Sequence, residues 1–153
     1  MSSLQTRPAT AKDLPDVVAM AHALAAFHGD QATLTREAVA RDALAAPPWI
    51  TVLVAERNND LLGYAALCPL VQVQYGLRGR DMHHLFVQPD ERGTGVGRAL
   101  IDASIQAAAA MGCHYLAVGT HPDNDPAQAF YEGAGFERTE TGPRFRLRLG
   151  AAG

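Results

Sequence analysis

The stretch VQPDERGTGVGRAL, residues 87–100, decides how the rest of the chain is read. It joins an apolar strand pattern, Met82 to Val87, to a helix pattern from Arg98 to Met111 in which Leu100, Ile101, Ile105, Ala108 and Met111 recur on one side. Between the two, the loop Pro89 to Gly97 carries Gly93, Gly95 and Gly97. Glycines so spaced let the backbone curl until successive N–H groups converge, and the helix N-terminus behind them adds a partial positive charge. Such a loop suits a phosphate or pyrophosphate. Arg92 and Arg98 bring full positive charges to the same place.

Two common phosphate loops do not fit. The nucleoside-triphosphate loop ends in Gly-Lys-Ser/Thr, whereas this one ends in Gly97-Arg98-Ala99. The dinucleotide pattern Gly-x-Gly-x-x-Gly, counted from Gly93, reaches Arg98 at its last position, and from Gly95 it also goes unfilled. A phosphate loop of another kind and a glycine-rich turn without a ligand remain.

Working outward, Leu4 to Pro8 predicts a short strand. Thr10, with Asp13 behind it, predicts a capping-box start to a helix that carries Leu14, Val17, Ala21, Leu24, Ala25 and His28 and ends near Gly29. A second helix is expected from about Thr35 to Ala46, stopped by Pro47-Pro48. Trp49 to Glu56, the turn Asn58-Asn59-Asp60 and Leu61 to about Val73 read as a hairpin. A Gly/Arg loop, Gly76 to Arg80, then leads into the Met82–Val87 strand. Beyond the long helix come a strand at His114 to Val118, a short helix at Pro126 to Glu132, and closing strands at Phe136 to Thr139 and Phe145 to Leu149. The last four residues, Gly150 to Gly153, read as a frayed tail. A hairpin in the first half and alternating helices and strands in the second predict an α/β domain of mixed α+β layers. At 153 residues the chain is expected to form one domain, 1–153.

Composition narrows the function classes. A formal net charge of -3 gives nucleic acid no basic face, so no nucleic-acid partner is expected. Met1-Ser2-Ser3-Leu4-Gln5 has no apolar run of the secretory kind, and no stretch is apolar over the ~18 residues of a membrane span. A cytoplasmic protein without membrane contact is therefore expected. Cys68 and Cys113 could pair, but two buried free thiols in a reducing compartment is the favoured reading. The histidines His83, His84, His114 and His121 lack the spacing of a structural metal site, so no metal is expected.

Arg92-x-x-Gly95-x-Gly97, set between a strand and a helix, resembles the acetyl-coenzyme A loop of the GNAT N-acetyltransferase superfamily. That superfamily's second motif is similar to Asn124-x-x-Ala127-x-x-Phe130-Tyr131-x-x-x-Gly135-Phe136, and its first strand and helix to Arg7-Pro8-Ala9-Thr10-x-x-Asp13-Leu14-Pro15. The likeness spans about residues 4 to 149. It implies a mostly antiparallel sheet of about seven strands, splayed between the fourth and fifth, with about four helices around it. It also implies that acetyl-CoA lies in the splay and that the chain acetylates an amine.

Carried over residue by residue, the resemblance gives the backbone of Leu85, Phe86 and Val87 to the pantetheine arm. The amides of Gly93, Thr94, Gly95, Val96, Gly97 and Arg98 would hold the pyrophosphate, with Arg92 beside them. Asn124 and Ala127 would line the other wall, and Phe130 would pack on the cofactor. Tyr131 stands where the family carries its general acid. A phenol with pKa ~10 keeps its proton at neutral pH and delivers it to the departing thiolate. Its plain alternative is a core aromatic.

The base is open between His83, His84 and a water relay, with Asp81 nearby on the same strand. On a regular strand the two histidines face opposite sides, so only one would face the acceptor. Phe27, His28 and Asp30, at the end of the first helix, would wall the acceptor pocket. His121 is either an acceptor-side group or a loop cap. The opening segment and the Arg92 loop are also similar to the diamine and polyamine acetyltransferase branch. That branch carries adjacent acidic residues where this chain has His83 and His84, so a small amine of another kind is the expected partner. Two further readings are a non-catalytic acetyl-CoA sensor and an acetyltransferase of protein N-termini or lysines. A homodimer is expected by analogy.

Overall fold

A computed structural model describes residues 3–139 and 143–150. They fall into two compact units, 1–119 and 120–153.

The first unit is built on a five-stranded sheet in sequential order: β1 (Gln5–Pro8), β2 (Thr51–Arg57), β3 (Asp60–Gln72), β4 (Leu77–Val87) and β5 (Tyr115–Ala117). The first four are antiparallel to their neighbours, and β5 runs parallel to β4. Helix α1 (Leu14–Phe27) covers one face. It buries Leu14, Val17, Met20 and Ala21 against Val52, Val54, Tyr64, Ala66 and Phe86, the inward set of a period-two pattern. Helix α3 (Val96–Ala110) buries Val96, Leu100, Ile101, Ser104 and Ala108 and packs on β2, β3 and β4. Gly63 of β3 faces it, because a Cβ there would lie 3.2 Å from Leu100 Cδ1.

The start of α1 follows the expected logic. The Asp13 carboxylate accepts the Thr10 backbone N–H at 2.7 Å, and Arg7 clamps the same carboxylate at 2.7 and 3.0 Å while also donating to Glu56 of β2 at 2.8 Å. These bonds tie β1, β2 and the entry to α1 together around a carboxylate only 4% exposed. Arg7 holds the Asp13 carboxyl down at about 2.

Several expectations need correction. The second helix is a single α-turn, α2 (Arg36–Val39), followed by a π-helical stretch at Ala40–Leu44. Gly76 to Arg80 is not a free loop. The chain turns at Val73–Tyr75, Gly76 takes the left-handed conformation, and β4 pairs from Leu77 onward, opposite Gln72. The two cysteines are free but half-buried rather than buried.

In the second unit the one regular element among the described residues is α4 (Asp125–Gly133). Phe136–Thr139 and Phe145–Leu149 are not strands, so the described residues hold five strands and not about seven. Phe136 is drawn into the end of α4, where left-handed Gly135 lets its N–H reach the Tyr131 carbonyl at 3.1 Å. Phe145, Leu147 and Leu149 keep a period-two pattern, yet they are 83–95% exposed and no ladder partner is described for them. Alternation alone does not make a strand. No helix among the described residues is long and apolar enough to cross a membrane.

Candidate functional site

The sheet opens at β4. β5 pairs with it only at Gly79, Arg80 and Asp81, opposite Tyr115, Leu116 and Ala117. The Tyr115 ring lies directly on Gly79, where a Cβ would come within 2.4 Å of it. Beyond Asp81, β4 has β3 on one side and no described strand on the other, so the edge from 82 to 87 carries backbone groups without a strand partner. Leu85, Phe86 and Val87 lie on this edge; the Phe86 side chain is buried in the α1-side core.

The glycine loop follows at once. Gly93 and Gly95 have φ of 79° and 95°, the left-handed region that a side chain strains. A Cβ at either would meet nothing within 4 Å, so it is conformation, not space, that requires glycine. Gly95 is the N-cap of α3 and brings no side chain to cap it. The first-turn amides of Val96, Gly97 and Arg98 therefore have neither an intrahelical partner nor a side-chain cap. The Val96 side chain is fully buried and pins the helix start. Thr94 Oγ1 donates to the Glu91 carbonyl at 2.6 Å. Arg92 Nε donates to the Val87 carbonyl at 3.2 Å, and its guanidinium lies 5.7 Å from the centre of the Phe27 ring. That cation–π contact joins the end of α1 to the loop. Arg98 is engaged with Asp102 one turn on, at 3.2 Å on the exposed surface.

His83 and His84 do not face opposite sides. Their rings are stacked, with centroids 4.7 Å apart and planes 15° from parallel. The cause is a bulge: His84 pairs with Ala66 and Met82 with Leu67, so His83 has no partner of its own and the alternation breaks. The two imidazoles differ sharply in setting. His84 Nδ1 lies 2.8 Å from the hydroxyl of buried Tyr64. Burial, with His83 and His28 adding their charges, pushes the His84 pKa down to about 4. His83 is exposed, and the Asp81 carboxylate 3.8 Å from its Nδ1 raises its pKa. His28, just past α1, also stands edge-on to Phe27 at 5.4 Å. Asp30 is exposed, its N–H bonded to the Ala25 carbonyl.

Within the second unit, Asn124 is the N-cap of α4, its side chain accepting the Ala127 N–H at 3.2 Å. Tyr131 sits between Phe130 and Phe136, with ring centroids at 5.6 and 5.7 Å. Burial raises its pKa, which keeps the phenol protonated at neutral pH. Phe130 is 41% exposed. His121 Nδ1 accepts the Asp123 N–H at 3.1 Å, the geometry of a loop cap.

Tyr64 was not legible as a site residue. It looks like one more apolar position of β3 until the register sets it diagonal to His84. A separate open cleft of about 560 Å³ lies along α1, lined among others by Asp16, Met20, Asp60, Leu62, Gln88 and Asp90. Gln88, Asp90 and Glu91 at the start of the glycine loop line it, but none of the catalytic, cofactor or acceptor residues assigned from the sequence does.

Comparison with known proteins agrees with this layout. The acetyltransferase (GNAT) family matches residues 17–136. The chain is 34% identical over 117 residues to a mycothiol acetyltransferase of Sanguibacter keddieii, a match covering 74% of this chain and 36% of that longer protein. It is 26% identical to an L-methionine sulfoximine/L-methionine sulfone acetyltransferase of Pseudomonas paraeruginosa, covering 97% of this chain and 88% of that one. An aminoglycoside N-acetyltransferase, AAC(6')-Iy, solved in complex with CoA, superimposes with a TM-score of 0.79 at 24% identity, covering 97% of each chain. The chain thus spans about a third of one relative's length and most of another's. With the family match running from within α1 through α4, the chain belongs to the GNAT family of acetyl-CoA-dependent N-acetyltransferases.

Proposed function

We propose that residues 1–153 act as one acetyltransferase domain that moves the acetyl group of acetyl-CoA to a primary amine of a small molecule, by direct attack within a ternary complex. The observation that carries this reading is the free β4 edge running straight into a glycine loop that opens a helix. An extended pantetheine arm has the amide groups to pair with Leu85, Phe86 and Val87, as an added strand would. A pyrophosphate suits the amides from Gly93 to Arg98 with Arg92 beside them. Asn124, Ala127 and Phe130 complete the cofactor wall by family likeness.

For the chemistry, the chain must take a proton from the ammonium form of the acceptor and give one to the leaving sulfur. His83 and His84 stand on the strand where the first is needed. Tyr131 keeps its proton and is assigned the second role. Phe27, His28, Asp30 and His121 are assigned to the acceptor side. The names of the relatives, which act on amino-acid-like and aminoglycoside amines, point to a small polar amine. Cytoplasmic location and a homodimer belong to the proposal, the homodimer by family analogy alone.

The test is release of free CoA thiol from acetyl-CoA with a panel of amines: methionine sulfone, other amino acids, an aminoglycoside, a polyamine and a peptide. Turnover with one small amine, with the acetyl amide seen by mass spectrometry, supports the reading. Turnover only on the peptide would move it to protein acetylation, and acetyl-CoA binding without turnover on any acceptor would favour a sensor.

A further inference from the structure

We propose that Tyr64 is a positioning residue that fixes His84 as a neutral hydrogen-bond donor and leaves His83 to take the proton from the acceptor amine. This deepens the acetyl-transfer reading above and rests on it for the His83 step. The argument starts from a hydroxyl with little choice. Tyr64 is 1% exposed, and its hydroxyl has one hydrogen-bond partner among the described residues, His84 Nδ1 at 2.8 Å. If Nδ1 carried the proton and donated to that hydroxyl, the hydroxyl's own proton would be buried without an acceptor, which is the costly case. The hydroxyl therefore donates, Nδ1 accepts, and the single proton of the neutral ring sits on Nε2.

A second proton on His84 is opposed from several sides. It would displace the Tyr64 bond, and it would put a charge 4.7 Å from His83 and in the field of His28. His83 has the reverse setting, exposed and beside the Asp81 carboxylate. The titratable groups that face the pair are Tyr64 of β3, His28 beyond α1 and Asp81 of β4. The bulge that stacks the rings is what allows this division of labour, because it places a proton acceptor and a fixed donor side by side.

The proton balance is simple. An acceptor ammonium gives one proton to His83, which passes it to solvent, and the freed nitrogen pair forms the C–N bond as the C–S bond breaks. The nitrogen then loses its second proton, the sulfur takes one up, and one proton is released overall.

Nitrogen-15 NMR of the histidine rings in the resting protein tests the Tyr64 step without any acceptor. The expected result is His84 with Nδ1 bare and Nε2 protonated at neutral pH, and a mixture of tautomers in Tyr64→Phe. A proton on Nδ1 in the natural protein, or an unchanged tautomer in Tyr64→Phe, overturns it. The pH profile of kcat/KM with the best amine tests the other half. His83→Gln should lose the ascending limb and about a hundredfold or more in rate. His84→Gln and Tyr64→Phe should keep that limb with a severalfold lower kcat. Loss of the limb in His84→Gln but not in His83→Gln would overturn the assignment. If no amine is acetylated, the His83 step falls with the transfer reading, while the ring tautomers still decide the role of Tyr64.

Discussion

Replacing Gly63 with Ala should destabilise the protein and loosen its glycine loop at once. A Cβ at Gly63 would lie 2.4 Å from the Phe86 carbonyl oxygen, 3.2 Å from Leu100 Cδ1 and 3.3 Å from Val87 Cα. Overpacking a tight site costs about 1–3 kcal/mol. Here the closest obstacle is backbone of the paired strand β4, which cannot swing aside as a side chain can, so about 3 kcal/mol is expected. With a urea slope of about 2 kcal/mol/M, that lowers the unfolding midpoint by about 1.5 M. Relief requires β3 and β4 to part or α3 to lift, and α3 carries Gly95 and Val96 at its start. Acetyl-CoA affinity should fall in the same variant. The discriminating assay is urea unfolding of Gly63→Ala, Leu100→Ala and the double variant. Leu100→Ala alone should cost about 2–5 kcal/mol as a cavity, and adding it should not rescue Gly63→Ala, because the carbonyl clash remains. A Gly63→Ala change below about 0.5 kcal/mol, or full rescue in the double variant, would refute the reasoning.

Three other outcomes are expected. Tyr131→Phe should lower kcat while acetyl-CoA affinity, read by calorimetry, stays nearly unchanged, since in the proposed mechanism only the departing sulfur needs that proton. Arg92→Ala should weaken acetyl-CoA binding about tenfold at low salt and less at high salt, because a charged group beside a pyrophosphate is screened; an effect independent of salt would assign Arg92 to the Phe27 contact instead. Asp13, held at about 2 against an ordinary 3.8, contributes about 2 kcal/mol of stability that is present above pH 4 and lost as pH falls toward 2. In Asp13→Asn, acid titrations of stability between those limits should lose most of that slope.

How much of this could be read from the sequence differs by element. The β2–β3 hairpin, α1 with its Thr10–Asp13 start, and the strand–loop–helix around Gly95 were legible because each is set by local chemistry: period-two or helical spacing, a capping pair, glycines at a bend. The π-helical stretch at Ala40–Leu44 was not, since helical spacing does not distinguish one hydrogen-bond offset from another. The segment Phe145–Leu149 misled because its alternation says nothing about a ladder partner. The site divides the same way. The motif positions could be named, but the stacking of His83 on His84 depends on a bulge that only the pairing with β3 reveals. The Tyr64–His84 hydrogen bond and the Arg92–Phe27 contact depend on side chains meeting across elements, which no spacing along one element encodes.

Calorimetric titration with acetyl-CoA, comparing the natural chain with Gly95→Asp, Gly97→Asp, tests the central claim most directly. A side chain at Gly95 strains a left-handed residue, and both carboxylates would stand among the amides assigned to the pyrophosphate. The expected result is micromolar binding by the natural chain that disappears in a variant still folded by circular dichroism. Equal binding by both proteins would contradict the account, and so would no binding by the natural chain at millimolar acetyl-CoA.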